Sequence, residues 1–121
     1  MIEETIIKHL KRTLKMPVFV KFPEPNPIDH TPVPPKFYLL EKTGGDYRNH
    51  IGYATFALQS YGKDVFDCAK MSLKGINAME AALDLDTVAN VDSHGDYNWP
   101  DLTRKRDRYQ ALFTITHYET E

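Results

Sequence analysis

The chain opens on a helical rhythm: Ile2, Ile6, Leu10 and Leu14, with Ile7 beside them, recur at the spacing of one helix face. Glu3 and Glu4 fall in the first turn and Lys11, Arg12 and Lys15 near the end, the arrangement that the helix dipole favours. Pro17 stops this helix, and the β-branched and aromatic run at 18–22 predicts a short strand.

Between Pro23 and Pro35, six of thirteen residues are proline. Proline has no amide proton and fixes φ, so neither helix nor central strand runs here. The segment is expected to hug the surface as an extended loop, because too little chain precedes it to fold alone. A second strand is expected over 37–42. Gly44 and Gly45 then permit a turn within a long, mobile hairpin loop. In the third strand, 51–60, Ala54, Phe56 and Leu58 share one face, and Tyr53, Thr55 and Gln59 share the other.

The clearest periodicity predicts a helix over 63–85. Val65, Phe66, Ala69, Leu73, Ile76 and Leu83 form its expected buried stripe, opposite Lys63, Asp67, Lys70 and Lys74. Gly75 lowers helix propensity there and permits close packing on a sheet. A short fourth strand is expected at 88–92 and a polar loop at 95–106. In a last strand at 108–118, Tyr109, Ala111, Phe113 and Ile115 alternate with mostly polar residues. The order is α-β-β-β-α-β-β, without internal repeats. Two helices with apolar stripes and a sheet with one apolar face bury one another. The expectation is therefore an α+β fold, one domain over 1–121, with a mixed, mostly antiparallel sheet of about five strands packed against two helices. Parallel pairing stays open across the long helix.

Composition narrows the function classes. A formal net charge of −2 lacks the basic excess of a typical nucleic-acid binder. No stretch reaches the roughly 18 apolar residues of a membrane span, and Met1 to Leu10 is no secretory signal, so no membrane partner is expected. The single cysteine, Cys68, forms no intrachain disulfide; it reads as a small packing residue at the stripe's margin, in a protein made in a reducing cytoplasm.

Candidate chemistry is sparse. Asp92, His94, Asp96 and Asp101 are the tightest set of possible metal ligands, but their spacing matches no metal motif, and a polar turn collects the same residue types. No nucleophile elbow, phosphate-cradling glycine loop or zinc-protease motif is present, so no catalytic, cofactor-binding or metal residue is assigned. Glu80 projects toward the expected sheet side, where it either reaches solvent or pairs with a cation. Arg104, Lys105, Arg106 and Arg108 form a basic run diluted by Asp96, Asp101 and Asp107, and Tyr97 and Trp99 sit just before it. Arginine and aromatic residues concentrate at interface centres. Tyr97, Trp99, Arg104, Lys105 and Arg106, with Asp46, Tyr47 and Arg48 of the glycine hairpin, are the candidate protein-contact residues.

Asp96-Tyr97-Asn98-Trp99-Pro100-Asp101, the charged run after it and Arg108-Tyr109-Gln110-Ala111 resemble the C-terminal signature of siphophage tail terminators, the tail-to-head joining family. Thr43-Gly44-Gly45 after an apolar strand, and Gln59-Ser60-Tyr61 before a long amphipathic helix, are similar to the same family and stand in the same order. The resemblance implies a cofactor-free structural protein that caps the tail tube at its head-proximal end as a ring, commonly a hexamer. It implies the major tail tube protein and a head completion or stopper protein as partners, with DNA only as cargo through the lumen. Location follows: host cytoplasm during assembly, then the virion. On this reading, Trp99→Ala with Arg106→Glu abolishes joining and leaves the fold intact. The rival readings are another neck component, a small metal-dependent enzyme using the Asp92 cluster, and a DNA-binding domain using Arg104–Arg108.

Overall fold

The computed structural model of the chain describes residues 1–118. Helix α1 is Ile2–Leu14; it ends where Lys15 takes a left-handed conformation and returns its N–H to the Lys11 carbonyl. Strand β1 is only Val18–Phe19; β2 is Phe37–Arg48, β3 Ile51–Tyr61, α2 Val65–Glu80, β4 Val88–Asn98 and β5 Tyr109–Tyr118. A 3-10 turn, Ala81–Asp84, extends α2. These elements form the expected α+β architecture of two helices on a five-stranded mixed sheet.

The sheet order is β1-β2-β3-β5-β4. Every neighbouring pair is antiparallel except β1 and β2. The parallel pair is thus joined by the proline-rich segment, whereas β3 and β4, the strands flanking α2 in sequence, are separated by β5. The proline segment hugs the surface as expected: Val33 packs against the Phe37, Leu39 and Tyr61 cluster, and Asn26 closes its turn by accepting the Ile28 N–H at 2.8 Å.

Both helices cover one face of the sheet. Tyr38, Leu40, Ala54, Phe56, Leu58, Ala111, Phe113 and Ile115 point into that core, against Ile2, Ile6 and Leu10 of α1 and Met71, Ala78 and Met79 of α2. The sheet supplies the large side chains, so α2 must approach with small ones. Cys68, Ser72, Gly75 and Ala78 do so, and a Cβ on Gly75 would lie 2.7 Å from a Leu58 methyl. The Tyr38 hydroxyl, buried in this contact, donates to the Met71 carbonyl at 2.8 Å.

This packing rotates α2 away from its expected orientation. Phe66, Leu73 and Leu83 are exposed rather than buried, and the buried face is Cys68, Met71, Ser72, Gly75, Ala78 and Met79. The helix carries two apolar stripes, and the one with the larger residues does not fit against the aromatic sheet. Gly75 does permit the close approach.

Two segments expected as loops are strands. The β2–β3 ladder continues through Gly44 and Gly45 to Arg48 opposite Ile51, with a bulge between Lys42 and Gly44. Asn49 and His50, at φ 52° and 66°, make the turn. Strand β4 likewise continues past residue 92 to Asn98, absorbing a bulge between Ser93 and Asp96. No helix among the described residues is long and apolar enough to cross a membrane.

Candidate functional site

Strand β2 begins at Phe37 and β3 ends at Tyr61, and the ladder sets these two residues opposite each other. Both point to the face away from the helices, where their rings stack with centroids 4.8 Å apart. Phe19 and Phe22, just after α1, meet the stack edge-on at 5.4–5.7 Å. No helix covers this second aromatic cluster. Arginines do.

The connection between β4 and β5 is tied down as a small ladder of its own. Trp99 N–H donates to the Arg108 carbonyl at 2.9 Å, and Asp101 and Arg106 exchange backbone bonds at 2.8 and 3.0 Å. This aims three guanidinium groups at the aromatic cluster. Arg104 lies 3.8 Å over the Phe22 ring, and Arg106 lies 5.2 and 5.4 Å from the Phe37 and Tyr61 rings. Arg108 stacks on Trp99 at 3.9 Å. Each such contact contributes about 0.5–1 kcal/mol where exposed and more where desolvated. Arg106 also donates to the Pro35 carbonyl, pinning the end of the proline segment.

Asp101 is the hub of this arrangement. Its buried carboxylate accepts from the Tyr61 hydroxyl at 2.9 Å, the Arg104 backbone N–H at 3.1 Å and the Arg104 guanidinium at 3.1 Å, with Arg108 at 3.9 Å. Burial alone pushes the Asp101 carboxyl up, but the Arg104 amide, the Tyr61 hydroxyl and the two arginines outweigh it and hold it below the ordinary carboxylate value. Burial pushes the Tyr61 phenol up, and its hydrogen bond to Asp101 adds to this against the pull of Arg108. The charges are therefore locked in their ionised and neutral forms near neutral pH.

Next along the same face, Gln59 Nε2 donates to Gln110 Oε1 at 3.0 Å, and Gln110 donates to the Tyr97 hydroxyl. The pair fixes Tyr97 to the sheet with its ring half-exposed. Of the expected contact residues, Tyr97, Trp99, Arg104, Lys105 and Arg106 gather around this end of the sheet. Trp99, Arg104 and Lys105 are exposed, while Arg106 is half-buried. Leu102, 83% exposed, stands among them. Asp46, Tyr47 and Arg48 stand at the other end, on the hairpin tip, where Arg48 pairs with Asp46 at 3.2 Å and Tyr47 meets the His117 ring edge-on at 6.1 Å. Eleven residues of β3 separate the two sets, about 33 Å of strand.

The possible metal ligands do not converge. His94 bonds the Thr114 hydroxyl at 2.9 Å on the open face, Asp96 accepts from Ser72 of α2 at 2.7 Å on the helix face, and Asp101 lies in the arginine hub. Asp92, His94 and Asp96 sit on an edge strand rather than in a solvated turn; two residues apart, they would share a face by alternation, but the bulge between Ser93 and Asp96 turns Asp96 to the helix side. Among the described residues no three His, Cys, Asp or Glu side chains are grouped to hold a metal ion. Cys68 is a packing residue, fully buried and accepting the Gly62 N–H at 3.0 Å; burial pushes its thiol up. Glu80 is exposed. A cleft of about 740 Å³ between α1 and the sheet edge is lined by Ile7, Val18, Phe19, Leu40 and Phe56 and rimmed by mixed charges. Sequence reasoning missed Phe22, Phe37 and Tyr61 as the platform on which the basic run rests, and it weighed Asp101 as a possible ligand and a diluting charge rather than as a hub. No protein-family model matches the chain, and no curated protein matches it in sequence.

Proposed function

We propose that this chain is a non-enzymatic assembly protein that caps the head-proximal end of a phage tail tube as a ring, stops tube growth and joins tail to head. The observation that carries the reading is the pair of exposed patches, each with aromatic and arginine side chains, at opposite ends of one rigid sheet. A connector must hold the tube with one surface and the head with another, and a closed ring needs two different complementary patches per subunit. The loop patch is preorganised on the Asp101 hub, so docking costs little ordering of its anchors. Two of its four cations, Arg104 and Arg108, share the buried Asp101 carboxylate, which suits protein contact better than phosphate binding. The resemblance in Asp96–Asp101 and in Gln59-Ser60-Tyr61 supplies the family and, with it, the hexameric ring, the tube and stopper partners, DNA passing only as cargo, and the virion as final location.

The test changes one end at a time. Arg106→Glu is a poor probe, because Arg106 holds Pro35 and covers Phe37 and Tyr61, so its loss disturbs the fold itself. Leu102→Asp with Lys105→Glu alters the loop patch at exposed positions, and Tyr47→Ala with Arg48→Glu alters the hairpin tip. Each pair is expected to keep the native far-UV spectrum and to abolish infectious particles. Electron microscopy is expected to show overlong tails for the tube-facing end and unjoined heads and tails for the head-facing end. Normal particles from both pairs would sink the proposal. Normal tails beside leaking heads in a knockout would reassign the chain as a head stopper.

A further inference from the structure

The stripe that the fold leaves outside has a definite period. Phe66, Ala69, Leu73, Ile76, Glu80 and Leu83 follow one another at alternating steps of three and four residues along α2 and its 3-10 extension. That is the spacing of a helix–helix seam. Phe66 is 76% exposed, Leu73 61% and Leu83 51%, while Ile76 and Ala69 are half-buried at the margin of the core. Phe66, Leu73 and Leu83 of this stripe join neither hydrophobic cluster among the described residues.

We infer that this seam pairs antiparallel with the same seam of a second copy of the chain. Antiparallel docking with Leu73 of one copy opposite Ile76 of the other sets Ala69 opposite Glu80 by helical register and brings Phe66 toward Leu83 on the second copy's 3-10 turn. The charges agree with this register. Lys70 stands one residue from Ala69 and so reaches Glu80 of the second copy, while Lys63, just before α2, meets Asp84 and Asp86 beyond the second copy's helix end. Lys63, Lys70, Glu80, Asp84 and Asp86 enter no ion pair among the described residues. A parallel register would instead set Lys70 against Lys70 and Glu80 against Glu80. Being its own complement, the seam makes a two-fold contact. It lies on the helix layer, so it leaves the loop patch on the opposite sheet face free, and the inference does not depend on the tail-terminator reading.

Sedimentation of the purified chain over a concentration series tests it. The wild type is expected to form a dimer, and Leu73→Lys, at an exposed position, is expected to give a folded monomer. Lys70→Glu and Glu80→Lys are each expected to weaken the dimer by about tenfold, and the double exchange is expected to recover it. A wild type that stays monomeric, or an assembly unchanged by Leu73→Lys, would overturn the inference. So would a double exchange no tighter than the singles. A ring insensitive to Leu73→Lys would overturn it while leaving the proposed function standing.

Discussion

The two faces of the sheet bury aromatic rings by opposite means. Under the helices, Tyr38, Phe56 and Phe113 are covered by aliphatic and small side chains, with Gly75 letting the α2 backbone close in. On the far face, Phe37, Tyr61 and Phe22 are covered by guanidinium groups, Arg104 and Arg108 held by the Asp101 carboxylate and Arg106 by the Pro35 carbonyl. The first cover is indifferent to pH and salt. The second is held in part by the ionised Asp101 through Arg104 and Arg108, so one sheet carries a core indifferent to charge and one that draws on it.

The sharpest way to break this contrast is to damage each side in turn. Phe56→Ala empties the helix-covered core and is expected to cost about 4 kcal/mol in denaturant melts, with secondary structure lost in one transition. Asp101→Ala removes the hub and strands two cations, with an expected cost of about 3 kcal/mol. The single tryptophan, Trp99, stacks on Arg108 and reports this region directly by fluorescence. If its transition coincides with the loss of far-UV signal, the two clusters form one cooperative unit; an earlier one separates them. Arg104→Ala exposes the Phe22 ring and is expected to cost about 1 kcal/mol, with Trp99 unperturbed.

Acid sharpens the comparison most gently. The Asp101 carboxyl is held below its ordinary value in the folded chain, so its contribution is fully present above about pH 4 and is lost as pH falls through the lowered value. Stability is therefore expected to fall below pH 4 in the wild type and to fall less in Asp101→Asn. Equal slopes in both would show that the hub's charge does not hold the far face together.

This asymmetry also explains what the sequence revealed. The helix-covered side was legible because α1, β3 and β5 carry period-matched apolar residues, and element order followed from them. Strands β2 and β4 run on past the helices, where Gly44, Asp46, His94 and Gly95 meet solvent; ladder hydrogen bonds, rather than burial, keep them extended, and those leave no hydrophobic pattern. The orientation of α2 was misread because two stripes compete, and the choice depended on Leu58 and Tyr38 filling the space where Gly75 must sit. The aromatic-arginine cluster joins residues 22, 37, 61 and 101–108, so only its basic run was visible locally.

Strand β1 pairs with β2 at Tyr38 and Leu39 only, so from Leu40 to Arg48 the outer rim of the sheet is an open template for stray strands. Lys42, tethered to Glu3 at 3.7 Å, and the bulge beside it stand as gatekeepers there. A chain stripped of that lysine and that irregularity would keep its fold and lose its solubility.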